Sequence, residues 1–242
     1  HIAGHIVLSI IIVQLFPVHG TTESIEAMDR KELYNYYRQY YVPGNMIISV
    51  AGNVDPLRVK DYLEEKLEQY GGPVPAGIQV PPVLNLPFIQ LVPKDVEQLQ
   101  ICLGLPGLSH HDEDRFTLNV LNSILGGGIS SRLFQSIREE QGLAYSVYSA
   151  PSNYSDTGSF SIFVGTGPAK AARFFEALHK ELARFVRDGV SEEEVLRTQH
   201  LIKSSMYLGL ESVINRMTRL GKAILMYDRV VDLEESIARI FA

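Results

Sequence analysis

The apolar and polar positions along the chain fall into helix-like and strand-like segments. Capping residues predict three helix starts, at Asp29 with Glu32, at Asp55 with Pro56, and at Ser191 with Glu194. After each start, apolar residues recur every three or four positions, so we expect each helix to pack one face against a core. The pattern therefore predicts at least three amphipathic helices.

Short apolar runs rich in β-branched residues predict the strands. These runs are residues 46–51, 88–92, 99–105, 144–150 and 159–165. The last two follow each other closely, as the strands of a hairpin do. Helices and antiparallel strands are mixed along the chain rather than strictly alternating, which favours an α+β fold over a doubly wound parallel sheet.

A stretch rich in proline and glycine divides the chain. Residues 71–87 contain five prolines, three glycines and no charged residue, so they can neither continue a helix nor pair centrally in a sheet. We interpret them as a semi-rigid linker between a first domain, residues 1–70, and a second domain, residues 88–242. Both regions place an apolar strand beside amphipathic helices, as two copies of one domain type would.

Composition and charge narrow the classes of function. The chain has 22 Lys and Arg against 28 Asp and Glu, and this net charge of -6 argues against a nucleic-acid partner. Its single cysteine, Cys102, excludes an intrachain disulfide framework, and a cytoplasmic location is the default.

The apolar run at residues 6–16 is too short to span a bilayer, so no membrane is expected. Because the chain opens without Met and in the middle of an apolar pattern, we expect it to be a piece of a longer protein.

The densest candidate for chemistry lies between residues 125 and 149. Arg138 is predicted near the end of a helix that Gly142 stops, and Tyr145 near the start of the next strand. A fixed cation and a phenol could therefore converge on one point, where they would suit a developing oxyanion or a peptide carbonyl. The alternative is that Arg138 pairs with Glu139 or Asp114 at a solvated surface.

A triple glycine precedes this helix. Gly126, Gly127 and Gly128 free the backbone for a close approach or a hinge, and they are our candidates for a substrate-binding or hinge loop. The loop lacks the Gly-Lys-Ser/Thr end of a phosphate-binding P-loop, which argues against a nucleotide site.

The same stretch resembles the second-domain motif of the pitrilysin and insulinase family of zinc metallopeptidases, which includes the mitochondrial processing peptidases. The matching elements are the triple glycine, residues 131–134 (Ser-Arg-Leu-Phe), Arg138, and residues 142–147 (Gly-Leu-Ala-Tyr-Ser-Val). Residues 20–25, 40–46 and 51–54 resemble the end of the family's first domain. The resemblance covers the chain from about residue 16 to its end.

This resemblance implies two similar α/β-sandwich domains of the processing-peptidase type, the first one incomplete in this chain. It also implies Zn²⁺ as the cofactor, held in the first domain by an inverted His-x-x-Glu-His motif and a later Glu. The 242 residues contain no such motif, and Gly4 stands between His1 and His5 where the water-activating Glu is required. We therefore assign no metal ligand to this chain, and the resemblance implies that Arg138 and Tyr145 hold the scissile carbonyl.

The implied function is that of one part of a zinc metalloendopeptidase, which hydrolyses bonds in peptides or small unfolded proteins. The expected partners are a peptide substrate and a second family member, in a homodimer or a heterodimer. An alternative is a non-catalytic substrate-binding or structural subunit of a processing-peptidase-like complex. A third possibility is an α+β interaction domain without chemistry, against which only the motifs at residues 125–149 argue.

Overall fold

The computed structural model describes residues 20–75, 89–93, 95 and 97–242. These residues form two compact units. The first unit contains residues 20–75 and 205–235, and the second contains residues 89–204 and 236–242. Most of the predicted linker, and the apolar run at residues 6–16, lie outside the described residues, so the division at residues 71–87 stays a prediction.

Helices make up most of the described chain. In order, they are α1 (Thr22–Ala27), α2 (Arg30–Tyr40), α3 (Pro56–Leu67), α4 (Arg115–Leu125), a π-helix (Phe134–Glu140), α5 (Ala171–Asp188), α6 (Glu192–Gly209), α7 (Val213–Tyr227) and α8 (Leu233–Phe241). Short 3₁₀ turns lie at Pro43–Asn45, Glu68–Tyr70 and Pro168–Lys170. Across the described ranges, no helix combines the length and the apolar character that crossing a membrane requires.

The predicted helix starts are confirmed. The Asp29 carboxylate accepts a hydrogen bond of 2.7 Å from the Glu32 amide, and the Glu32 carboxylate accepts one of 3.3 Å from the Asp29 amide. At the start of α3, the Asp55 carboxylate accepts a bond of 2.9 Å from the Leu57 amide. These bonds satisfy amides that have no partner inside the helix, which is why the capping residues mark the starts so clearly.

The strand predicted at residues 46–51 is wrong. Met46 has an extended backbone, but no described residue pairs with this segment in a ladder, and Ile47 and Ile48 are 44% and 45% exposed. The segment is fixed instead by a side chain, since the Ser49 hydroxyl donates a hydrogen bond of 2.7 Å to the Met217 carbonyl. An apolar run becomes a strand only where a neighbour accepts its backbone hydrogen bonds.

Two further predictions of packing also differ from the structure. Residues 89–92 form no strand, and residue 88 of that predicted strand lies outside the described chain. Helix α2 has no buried residue, so its apolar face does not pack into a core among the described residues. Its tyrosines contact one another instead, with the Tyr36 and Tyr40 ring centroids 4.5 Å apart.

The sheet of the second unit is antiparallel and has three strands in the order β1-β3-β2. The strands are β1 (Leu99–Pro106), β2 (Ser146–Asn153) and β3 (Gly158–Thr166). The predicted hairpin is confirmed as β2–β3, although β2 begins two residues later than expected, and the α+β fold is confirmed with it. One face of the sheet is buried against α4, α5 and the π-helix. Its core residues are Leu103, Leu125, Leu133, Ile137, Leu143, Ala144, Val147, Phe160, Ile162, Val164, Phe174, Ala177 and Leu178.

Helix α4 meets β2 at a glycine. The Gly126 amide donates to the Asn122 carbonyl at 2.9 Å, and the Gly126 carbonyl accepts from the Ser149 amide at 3.0 Å. A Cβ atom on Gly126 would lie 2.5 Å from the Ser149 hydroxyl oxygen and 2.6 Å from its amide nitrogen. These distances are shorter than any normal contact, so this crossing of helix and strand requires glycine.

We therefore predict that Gly126→Ala lowers the free energy of unfolding by about 1–3 kcal/mol, because the added methyl group forces α4 away from β2. Urea denaturation of the 242-residue chain measures this difference. Gly128→Ala is the matched control, since a Cβ there meets nothing within 4 Å. An equal loss in both variants would contradict the close-approach argument.

Candidate functional site

Arg138 and Tyr145 flank the turn that joins the π-helix to β2. The chain is buried just before Arg138 and again before Tyr145, where Ile137 is 0% and Leu143 is 2% exposed. The Leu143 amide donates to the Ile137 carbonyl at 2.9 Å, and the Gly142 amide donates to the Arg138 carbonyl at 3.1 Å. Gly142 has a φ of 59°, the left-handed conformation in which a glycine ends a helix without strain. The predicted helix stop at Gly142 is confirmed.

Strand β3 fixes the other side of this turn. The Tyr145 amide donates a hydrogen bond of 2.8 Å to the Gly165 carbonyl. The hydroxyl of the fully buried Thr166 donates one of 2.6 Å to the Leu143 carbonyl. A buried carbonyl without a partner would cost about 1–3 kcal/mol, so Thr166 is part of what holds the turn in place.

The side chains of Arg138 and Tyr145 both remain accessible, at 43% and 57% exposure. The Arg138 guanidinium lies 4.8 Å from the centre of the Phe134 ring, and its Nε is 3.7 Å from a Glu139 carboxylate oxygen. The pairing with Glu139 that the sequence left open is thus present, at the surface. The Lys170 ammonium lies 5.9 Å from the centre of the Tyr145 ring. The structure therefore presents a guanidinium and a phenol at the two ends of one fixed turn.

The three glycines at 126–128 form a loop with fixed ends. Its first residue is bonded to Ser149 of β2, four residues beyond Tyr145, and its last carbonyl accepts a bond of 3.1 Å from the Ser131 amide. The loop therefore borders the strand that Tyr145 precedes. Its role in substrate binding or as a hinge stays a prediction.

An ion pair that the sequence did not reveal anchors the segment that carries Arg138. Arg132 donates two parallel hydrogen bonds to Glu194, Nε to Oε1 at 2.9 Å and Nη2 to Oε2 at 2.7 Å. Its Nη2 also donates to the Gly189 carbonyl at 3.0 Å, and its guanidinium lies 5.0 Å from the centre of the Phe185 ring. The two charged side chains are only 18% and 23% exposed. We call this arrangement the Arg132–Glu194 clamp. It ties the end of α5 and the start of α6 to Arg132, two residues before the π-helix.

The Glu194 carboxylate accepts further bonds from Ser191, 2.9 Å from its amide and 3.0 Å from its hydroxyl. This is the predicted capping box, and the clamp is built on it. The hydrogen bonds from Arg132, and after them the bond from the Ser191 amide, lower the pKa of Glu194 from its ordinary 4.5 to about 2. Because the pKa is lower in the folded state, ionised Glu194 stabilises the fold above about pH 4.5. This contribution is lost as the pH falls toward 2.

We predict that Glu194→Gln lowers the free energy of unfolding at pH 7 by about 1–3 kcal/mol, because it removes hydrogen bonds to a charged acceptor. The difference from the unsubstituted chain should shrink as the pH is lowered from 4.5 toward 2. Chemical denaturation across this pH range measures both effects.

Glu193→Gln removes the same charge from an exposed position in the same helical turn, and it should change the stability by less than about 0.5 kcal/mol. A pH-independent loss in Glu194→Gln would rule out ionised Glu194 as the source of the stability.

The described residues do not fit a zinc site. Among them, no group of three or more His, Cys, Asp or Glu side chains could hold a metal ion. The weak pair His1 and His5 lies outside the described chain. We therefore derive no chemical step through a metal on this chain.

Comparison with known proteins identifies the family. A sequence model described as the peptidase M16 inactive domain matches residues 27–202. The chain therefore belongs to the M16 family, that of the pitrilysin-type metallopeptidases, as the motifs predicted.

Two bacterial relatives support this assignment. The uncharacterized zinc protease YmxG of Bacillus subtilis is 37% identical over 223 residues, which cover 92% of this chain and 54% of that protein. An uncharacterized zinc protease of Streptomyces coelicolor is 34% identical over 231 residues, 93% of this chain and 50% of that protein. This chain thus spans about half the length of either relative.

A solved structure shows the same fold. The peptidase M16 inactive domain from Pseudomonas fluorescens superposes with a TM-score of 0.75 at 20% identity, over 91% of this chain and 53% of that one.

Proposed function

We propose that this chain supplies the substrate-stabilising residues of a zinc metalloendopeptidase. The observation that carries the proposal is the fixed turn between the π-helix and β2, which leaves Arg138 and Tyr145 exposed at its two ends. Two relatives named as zinc proteases support peptide hydrolysis as the choice of reaction.

The proposed task of the two side chains is to donate hydrogen bonds to the carbonyl oxygen of a peptide bond. The Arg138 guanidinium carries a permanent positive charge, and the Tyr145 phenol donates one O–H bond. Both donors stabilise negative charge as it develops on that oxygen, and neither gives up its proton. The chain's own contribution is thus binding and charge stabilisation, and a metal that activates water would be held by residues of the zinc-bearing region.

The proposed substrates are peptides or small unfolded proteins, since only an extended chain presents its carbonyl groups freely. The proposed partner is the polypeptide region that carries the zinc motif, either in the same chain or in a family member that forms a dimer with it. A cytoplasmic location is proposed from the single cysteine.

The test is cleavage of a fluorogenic peptide by this chain joined to, or combined with, the zinc-bearing region. We predict that Arg138→Ala and Tyr145→Phe each lower kcat more than tenfold, or by about 1.4 kcal/mol of barrier, because each removes a donor used in the transition state. Removal of zinc by a chelator should abolish cleavage in every variant.

Two control variants separate this role from a general loss of charge or of aromatic surface. Arg187→Ala removes an arginine that is 73% exposed on α5, and Tyr154→Phe removes a hydroxyl from a tyrosine as exposed as Tyr145. Both should retain full kcat. Unchanged turnover in Arg138→Ala and Tyr145→Phe would overturn the assignment.

A second candidate is a non-catalytic subunit that binds substrate or supports a processing-peptidase-like complex. The matching family model is described as an inactive domain, which is consistent with both candidates. It predicts that a preparation containing the whole protein binds unfolded peptides but contains no zinc and cleaves nothing. Chelator-sensitive cleavage by zinc-containing protein would exclude it.

A further inference from the structure

A cavity of about 380 Å³ lies between α4 and α6, next to the Arg132–Glu194 clamp. This volume is in the range of sites for small molecules. Half of its eight polar lining residues carry a hydroxyl group, two on α6 and one each on α4 and the loop that follows it, namely Thr198, Ser204, Ser123 and Ser130. The Ser123 hydroxyl already donates to the Asn119 carbonyl at 2.9 Å, so it can only accept, whereas the other three hydroxyls can donate to a polar ligand.

The charges around this α4–α6 cavity are unequal. Its one carboxylate, Glu194, accepts bonds from Arg132 and Ser191, so its charge is already neutralised. Arg197 also lines the cavity, and within the part of the chain that the structure describes it forms no ion pair. His200 lies three residues further on the same face of α6 and adds an imidazole N–H donor. The charge left uncompensated in the cavity is therefore positive.

The cavity also has an apolar part. Ile124 of α4 and Leu201 of α6 belong to its lining, and Leu201 follows Arg197 by one helical turn. A ligand that fills the volume would thus place a charged group near Arg197 and a hydrocarbon portion near Leu201. A single inorganic ion would occupy only part of this space.

We propose that the α4–α6 cavity binds a small organic anion through a carboxylate or phosphate group held by Arg197. A guanidinium matches the oxygens of either group with two parallel hydrogen bonds, and the hydroxyls of Ser130, Thr198 and Ser204 complete the site. The bound anion contacts α4, α6 and the loop between Gly128 and Arg132. This site does not depend on the proposed peptidase role.

The experiment is an NMR titration of the isotope-labelled 242-residue chain at constant ionic strength, with inorganic phosphate in one arm and hexanoate in the other. We expect saturable shifts of the α6 amides near Arg197 with a Kd of about 1 mM for at least one probe. Saturation by phosphate alone identifies a phosphate-bearing ligand, and saturation by hexanoate alone identifies a carboxylate. Either result, or both, supports the oxyanion site.

Arg197→Gln should weaken binding about tenfold, because it removes the charged, bidentate donor. Since Arg197 is exposed, this variant should keep the fold, which its NMR spectrum verifies directly. Arg173→Gln is the matched control, an exposed arginine on α5 that does not line the cavity, and it should bind as the unsubstituted chain does. Absence of saturable binding for both probes, or equal weakening in both variants, would overturn the proposal.

Discussion

The backbone between Ile137 and Tyr145 has to leave a helix, cross the core and enter a strand within eight residues, and its polar groups must be satisfied on the way. Leu143 is drawn inside by the hydrophobic effect, which buries its amide and carbonyl with it. The Leu143 amide donates to the Ile137 carbonyl of the π-helix, and the Leu143 carbonyl accepts a hydrogen bond from the Thr166 hydroxyl. The Lys170 ammonium donates one of 2.8 Å to the Gly142 carbonyl. The positions of both candidate site residues follow from this arrangement.

The Arg132–Glu194 clamp and the contact of α4 with β2 at Gly126 hold the surroundings of that turn. Arg132 ties the start of the helical segment to α6, and Gly126 lets α4 approach β2 to within direct backbone hydrogen-bonding distance. Neither feature touches the exposed faces of Arg138 and Tyr145, so those faces stay accessible. A rigid frame below two accessible donors suits charge stabilisation, which depends on donors that are already in place before the reaction.

Local signals were sufficient for the helix starts and for the hairpin, because a capping box or an apolar run involves neighbours in sequence. The sequence carried no signal for contacts between residues that are far apart along the chain. Arg132 and Glu194 are 62 residues apart, and the capping box at Ser191 and Glu194 predicted only a helix start. The run at 46–51 had the pattern of a strand, but no described segment pairs with it. The motif around Arg138 and Tyr145 identified the family. The catalytic role of these two side chains stays a proposal, because their spacing alone does not establish a function.

Native-state hydrogen exchange of the 242-residue chain tests the central claim, that the turn carrying Arg138 and Tyr145 is as rigid as the core. We predict that the Leu143 and Tyr145 amides exchange only through global unfolding, with the same free energy as the Ile162 amide in the central strand. Exchange at the rate of exposed amides in the β2–β3 connection, such as that of Asp156, would show a mobile turn and contradict the account.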